Sequence, residues 1–262
     1  MHKHMNNSLL ITVKRLSLLL ILMVAGFQSF SQTNWSYMSP KPVGFTIYDA
    51  SYVDANNGWA VGEVGCIAKT TNGGANWTIK SLPIYTGNGL TNFRPTLNQV
   101  QFVSTSVGYA VGSNATIIKT TDGGTTWNYI NGPLSPLSSA GIGINNLYFF
   151  DANNGWIVGD AINASSAYVY KTTNGGATWT AATGVPVLNN AFYGIDWVDP
   201  TTGYISGQNG KVIKTSDGGA TWVDISLTTT NYTVVGGGFT TPRTQTYRSV
   251  IALDANTAII SS

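Results

Sequence analysis

Residues 69–77 read KTTNGGANW, and the phrase returns as KTTDGGTTW at 119–127, KTTNGGATW at 171–179 and KTSDGGATW at 214–222. The closing tryptophans, Trp77, Trp127, Trp179 and Trp222, are 50, 52 and 43 residues apart. Ahead of each lysine lies a second recurring stretch: NNGWAVG (56–62), SVGYAVG (106–112), NNGWIVG (153–159) and TTGYISG (201–207). Self-similarity at one period outranks any single-residue signal, because it means one structural unit built several times.

Within each unit the pattern is that of strands. An alternating or apolar run opens it (46–53, 97–103, 143–150, 192–198). A turn, the GWAVG-type strand, a second turn, a strand such as 116–121, the GG turn and a last strand starting at the tryptophan follow. Four short strands in a unit of 40–50 residues, with no helical stretch, predict an all-β β-propeller of four-stranded blades. The blades fall at about 46–82, 97–131, 143–183 and 192–227. Asn34-Trp35 matches the last strand of a blade, and 247–262 matches the first two strands of another. The expectation is four full blades and two partial ones (33–38 and 247–262), an open arc unless more chain follows.

The GG phrase has a physical reading as a turn. Its pattern Thr-x-Asx-x-Gly-x-x-Trp places Thr70, Asn72, Gly74 and Trp77 in the first copy and Thr120, Asp122, Gly124 and Trp127 in the second. Thr172, Asn174, Gly176 and Trp179, then Thr215, Asp217, Gly219 and Trp222, complete the set. The Asx oxygen accepts nearby backbone N–H groups, the glycines take angles closed to other residues, and the indole plugs the space between sheets. Asn and Asp interchange at the key position, so an acceptor oxygen is required and a charge is not. That argues for structure over metal binding or catalysis.

This motif resembles the Asp-box, or BNR repeat, of sialidases and other propellers. The fuller pattern GWAVG…KTTDGGxTW is similar to the photosystem II stability/assembly factor family, over roughly residues 33–262. The resemblance implies a non-enzymatic, chaperone-like binding platform without cofactor, taking a protein or glycan partner.

In such blades the strand-2/3 turns and the blade-to-blade linkers share a face, and long loops on one side of a rigid scaffold are where ligands bind. Here the long linkers carry Tyr85, Phe93, Arg94, Tyr232, Phe239 and Arg243, and blade 3 has an enlarged turn at 160–166. Tyr85, Phe93, Arg94, Asp160, Tyr232 and Arg243 form the candidate binding face; aromatics with Arg suit protein surfaces and sugars alike.

The alternative is a secreted glycoside hydrolase of sialidase or xyloglucanase type. Outside the leader described next, the chain has three arginines (Arg94, Arg243, Arg248) and a single glutamate, Glu63. That is a thin supply for an arginine triad plus a glutamate-activated tyrosine. Phe93-Arg94-Pro95 lacks one residue of the corresponding sialidase motif. A carboxylate pair would be Glu63 and Asp160, at matching turns two blades apart, wider than the spacing glycosidic cleavage uses.

Composition narrows the rest. Lys3, Lys14 and Arg15 precede a 12-residue apolar run, 16–27, and Ser29-Phe30-Ser31 offers a cleavage site. That run is short for a bilayer span and fits a signal peptide over 1–31, predicting an exported chain with no integral span after cleavage. Both histidines, His2 and His4, lie in this leader, which excludes Ser–His–Asp chemistry and histidine-ligated zinc beyond it. Beyond it ten Lys and Arg face 11 Asp and Glu, a net charge of −1, so no nucleic-acid partner is expected. Cys66 is the sole cysteine, and stability must come from packing and sheet hydrogen bonds.

Overall fold

The computed structural model describes residues 44–82, 94–133, 141–163, 166–186, 190–226 and 246–262, all within the unit Ser39–Ser262. Residues 1–31, expected as a signal peptide, the segment 33–38 and Tyr85, Phe93, Tyr232, Phe239 and Arg243 lie outside the described residues.

Four antiparallel sheets of four strands succeed one another, each with its strands in sequence order. The first holds β1 (Ile47–Tyr52), β2 (Gly58–Gly62), β3 (Cys66–Thr70) and β4 (Thr78–Ser81). The second holds β5 (Leu97–Phe102), β6 (Gly108–Gly112), β7 (Thr116–Thr120) and β8 (Asn128–Tyr129). The third holds β9 (Ile144–Phe149), β10 (Gly155–Asn163), β11 (Ser166–Thr172) and β12 (Thr180–Ala181). The fourth holds β13 (Phe192–Trp197), β14 (Gly203–Gly207), β15 (Val212–Thr215) and β16 (Val223–Asp224). A two-stranded sheet, β17 (Ser249–Ala252) and β18 (Ala258–Ser261), completes the described elements. The first strand of each sheet lies beside the first strand of the next. The fold is a β-propeller of four-stranded blades.

The repeated phrases form the joints between blades. Strands β2, β6 and β14 are buried at every residue, which is why GWAVG is a run of small and apolar residues without alternation. The aromatic of such a strand reaches into the following blade. Trp59 stacks on Phe102 with ring centroids 3.5 Å apart, Tyr109 stacks on Phe149 at 3.8 Å, and Trp156 lies against Trp197 at 5.3 Å. The Asp-box tryptophan of the following blade closes each trio edge-on: Trp127 on Phe102, Trp179 on Phe149, Trp222 on Trp197. The lysine that opens each phrase sits over the same ring, Lys69 over Trp59 and Lys119 over Tyr109. Its Nζ donates to the carbonyl of the neighbouring GG turn, Lys69 to Gly123 at 2.8 Å and Lys119 to Gly175 at 3.0 Å. The two sequence phrases are therefore the two halves of one joint.

Two expectations change in detail. The fourth strand starts one residue after the tryptophan, because the indole is committed to the joint and is turned out of the ladder. In blade 3 the expected turn at 160–166 is a prolonged hairpin, in which Asn163 pairs with Ser166.

Candidate functional site

The innermost strand of a blade has a ladder partner on one side only, and its other edge faces the neighbouring blade. Unpaired backbone groups there must be satisfied or stay costly. Side chains of adjacent blades supply the partners. Asp49 Oδ2 accepts the N–H of Val100 at 2.9 Å, and Ser51 Oγ that of Phe102 at 3.0 Å. Gln99 Oε1 accepts from Leu147 N, and Gln101 Oε1 from Phe149 N at 2.7 Å. Asp196 Oδ2 accepts from Ala252 N at 2.7 Å. In return Asn98 Nδ2 donates to Ile144 O at 2.9 Å, and Asn145 and Asn146 donate to Phe192 O and Tyr193 O, both at 3.0 Å. The polar residues of these strands act as a side-chain ladder between blades.

A second feature arises near the start of each inner strand. The register with the second strand slips between Ile47 and Asp49, between Leu97 and Gln99, and between Phe192 and Gly194, and blade 3 slips at the matching place. Each slip is a β-bulge, which sets two residues of the strand against one of its partner. Consecutive side chains there line one groove of about 480 Å³. Its walls are Tyr48 and Asp49, Asn98 and Gln99, Asn145 and Asn146, Tyr193, and Arg248 with Ser249. The size is that of a ligand site, and the lining is amide-rich and aromatic.

Arg248 lies over the ring of Tyr193, 5.4 Å from its centroid. Burial raises the Asp49 carboxyl above the usual range, against the N–H groups of Val100 and Ala50, which lower it. Tyr48 OH donates to Glu63 Oε1 at 3.3 Å, Asn145 Nδ2 to Asp160 Oδ1 at 3.0 Å, and Gln208 Nε2 to Tyr193 OH at 3.3 Å. The groove is thus braced by the strand-2/3 turns and opens at their end of the blades.

Those turns explain Glu63 and Asp160. Thr46 N donates to Glu63 Oε2 at 3.3 Å, Thr96 N to Ser113 Oγ at 3.0 Å, Gly143 N to Asp160 Oδ2 at 2.6 Å and Ala191 N to Gln208 Oε1 at 3.1 Å. The backbone N–H of each of the four donates back to the carbonyl of the same linker residue. Glu, Ser, Asp and Gln do one job, clamping a linker onto its own blade. The two carboxylates belong to blades 1 and 3, with blade 2 between them. Arg94 is exposed and lies beside Gly65 of the blade 1 turn.

The Asp-box geometry is uniform across its neutral and acidic copies. Asn72, Asp122, Asn174 and Asp217 each accept, through Oδ1, the backbone N–H four residues on at 2.9 Å. The buried threonine hydroxyl donates to that same Oδ1 and accepts the N–H of the second glycine at 2.9 Å. Both glycines of each pair have positive φ, 68° and 76° at Gly123 and Gly124. Hydrogen bonds from Thr126 hold the Asp122 carboxyl down at about 2, and Thr221 does the same for Asp217.

Reading the linkers missed the groove. A signal was present: Asn98-Gln99 and Asn145-Asn146 are adjacent polar pairs that break the alternation of an inner strand. Among the described residues no three His, Cys, Asp or Glu side chains converge as a metal would require, and no helix is long and apolar enough to cross a membrane.

Four-stranded blades joined through repeated Asp-box turns, with a polar groove between the innermost strands, define a BNR-type propeller. The chain belongs to the photosynthesis system II assembly factor YCF48 family, whose profile matches residues 27–184. Among solved structures, YCF48 from Cyanidioschyzon merolae is 22% identical with a TM-score of 0.54, over 72% of this chain and 59% of that one. The Niastella koreensis GH74 enzyme is 20% identical with a TM-score of 0.54, over 69% of this chain and 30% of that one. A YCF48 bound to D1 peptide is 18% identical with a TM-score of 0.42, over 70% of this chain and 82% of that one, too low for any comparison of sites. At these identities the likeness concerns the fold. The chain spans less than two thirds of the Cyanidioschyzon protein and under a third of the Niastella protein. No curated protein sequence matches it.

Proposed function

We propose that this chain is an exported, non-catalytic binding scaffold that holds a segment of a partner protein in the groove between its innermost strands. The observation that carries the reading is the groove itself, where the bulges of blades 1 to 3 each turn two consecutive side chains, and that of blade 4 Tyr193, toward one cavity. Amides, two tyrosines and an arginine suit an extended peptide, which offers donors and acceptors along its length. Membership of an assembly-factor family favours a protein over a glycan as the partner. The linker residues Tyr85, Phe93, Arg94, Tyr232 and Arg243 stay candidates for further contacts with the partner. The carboxylates Glu63 and Asp160 serve as clamps, and their exchange with Ser113 and Gln208 at the same position speaks against a catalytic pair.

Site-specific photo-cross-linking in the producing cell tests this. A cross-linker at Tyr48 or Ser249 is expected to capture one discrete protein. The same group at Thr125, on the Asp-box face, is expected to capture none. Adducts of equal yield from both faces, or none from the groove, would reject the reading.

A further inference from the structure

On the binding reading above, we infer that Val64 is an apolar contact for the partner at the mouth of the groove, where the partner offers an apolar side chain. Among the described residues four non-glycine residues have a positive φ: Val64 (56°), Asn114 (53°), Ala115 (52°) and Asn209 (56°). All four lie in strand-2/3 turns, those of blades 1, 2 and 4. Glycine and asparagine enter the left-handed region at little cost, whereas a β-branched residue there is an outlier.

Three of the four have a structural reason. Asn114 and Asn209 are of the residue type that the bend favours, and each also ties its turn to a linker. Asn114 Oδ1 accepts from Gly141 N at 3.1 Å, and Asn209 Nδ2 donates to Asn190 Oδ1 at 2.6 Å. Ala115 is 1% exposed and fills interior space. Val64 makes the same bend as Asn209, with φ and ψ of 56° and 34° against 56° and 33°, yet it is 46% exposed and packs into none of the buried clusters. The bend is fixed from both sides, by Glu63 N donating to Thr46 O at 3.0 Å and Gly65 N to Pro95 O at 2.6 Å. The turn therefore imposes a backbone that asparagine would meet without strain, and a half-exposed valine gains little burial to offset its own. Strain retained without a folding benefit points to use.

The position says which use. Val64 follows Glu63, whose carboxylate accepts the hydroxyl of Tyr48, a groove-wall residue that is itself 53% exposed. This turn stands at the end of the blades where the groove opens. A segment leaving the groove past Tyr48 meets two methyl groups there, a surface that rewards an apolar side chain and offers a polar one no hydrogen bond.

Val64→Asn separates strain from contact without endangering the fold. Relief of the bend should raise the midpoint of thermal unfolding by about 2–4 °C. The same substitution should lower the yield of the Tyr48 cross-link in the producing cell by about fivefold, while Val64→Ile, which keeps the apolar surface, should preserve it. A photo-cross-linker at position 64 should capture the same protein as one at Tyr48, with mass-spectrometric mapping placing the adduct at an apolar side chain. A midpoint that stays or falls in Val64→Asn would overturn the strain argument. A raised midpoint with an unchanged Tyr48 adduct would overturn the contact, as would an adduct from position 64 that is absent, maps to another protein or falls on a charged side chain. Those results leave the groove reading standing as long as Tyr48 captures its partner; an unsubstituted chain with no Tyr48 adduct rejects both.

Discussion

Thr120→Val isolates what holds an Asp-box turn together. Valine copies the shape of threonine and replaces the hydroxyl by a methyl, so the burial of Thr120, 0% exposed, hardly changes. The hydroxyl accepts from Gly124 N at 2.9 Å and donates to Asp122 Oδ1 at 2.8 Å. Without it the N–H of buried Gly124 has lost its acceptor, and an orphaned buried donor costs about 1–3 kcal/mol. Adding the lost bond to the carboxylate, the expected destabilisation is about 2–3 kcal/mol, or roughly 4–12 °C in Tm for a chain of this size. Thr120→Ser keeps every hydrogen bond and removes one methyl, a loss of about 1 kcal/mol. Urea unfolding of both variants, followed by tryptophan fluorescence, makes the comparison. If Thr120→Val were as stable as Thr120→Ser or more so, the turn would be held by packing and the hydrogen-bond argument would be wrong.

Acid should probe the same turns: Asp122 and Asp217, lowered to about 2, favour the fold above the unfolded carboxylate range near 4 and lose that contribution as pH falls toward 2. Asp122→Asn should flatten the midpoint-versus-pH curve in that window, and an unchanged slope would contradict the assignment. Gly194→Ala would set a Cβ 2.5 Å from Ser206 Oγ and 2.8 Å from Val250 N, and should cost about 1–3 kcal/mol by prising β17 from β13. Gly44→Ala, with nothing within 4 Å, serves as the neutral control in the same melting assay. Asp49→Ala should destabilise by about 1–3 kcal/mol because Val100 N loses its acceptor, whereas Asp49→Asn, which keeps an oxygen there, should lose much less. Equal losses for the two would mean that the charge, not the acceptor, matters.

The fold was legible because its joints repeat. Trp59, Lys69 and Trp127 each announce themselves in sequence, and the structure joins them in a single contact between blades. The groove was harder to read for a physical reason. Its side chains sit on strands whose apolar alternation had already been explained as core, and a bulge is one extra residue that composition does not reveal. Nor does any one blade carry the site. Tyr48, Asn98, Asn145, Tyr193 and Arg248 meet only because the first strands of successive blades converge. The linkers drew attention through length and aromatic content, both properties of a local stretch. The groove is a property of the repeat taken across blades.

That origin constrains how such a site can vary. Asp49 and Gln99 face the groove while accepting backbone N–H groups of the next blade, so neither can be traded for an apolar residue without opening the ring of inner strands. Asn98, Asn145 and Asn146 are tied in the same way through their Nδ2 atoms. Among the described residues Tyr48 and Tyr193 make no such bond to the next inner strand: Tyr48 donates to Glu63, Tyr193 accepts from Gln208, and Arg248 stacks on Tyr193. If the groove takes a partner as proposed, its specificity should therefore be set at Tyr48, Tyr193 and Arg248, while the amide floor serves the fold. A comparison of partner specificity should be sought at those residues, since the floor is held in place by the architecture whatever the ligand.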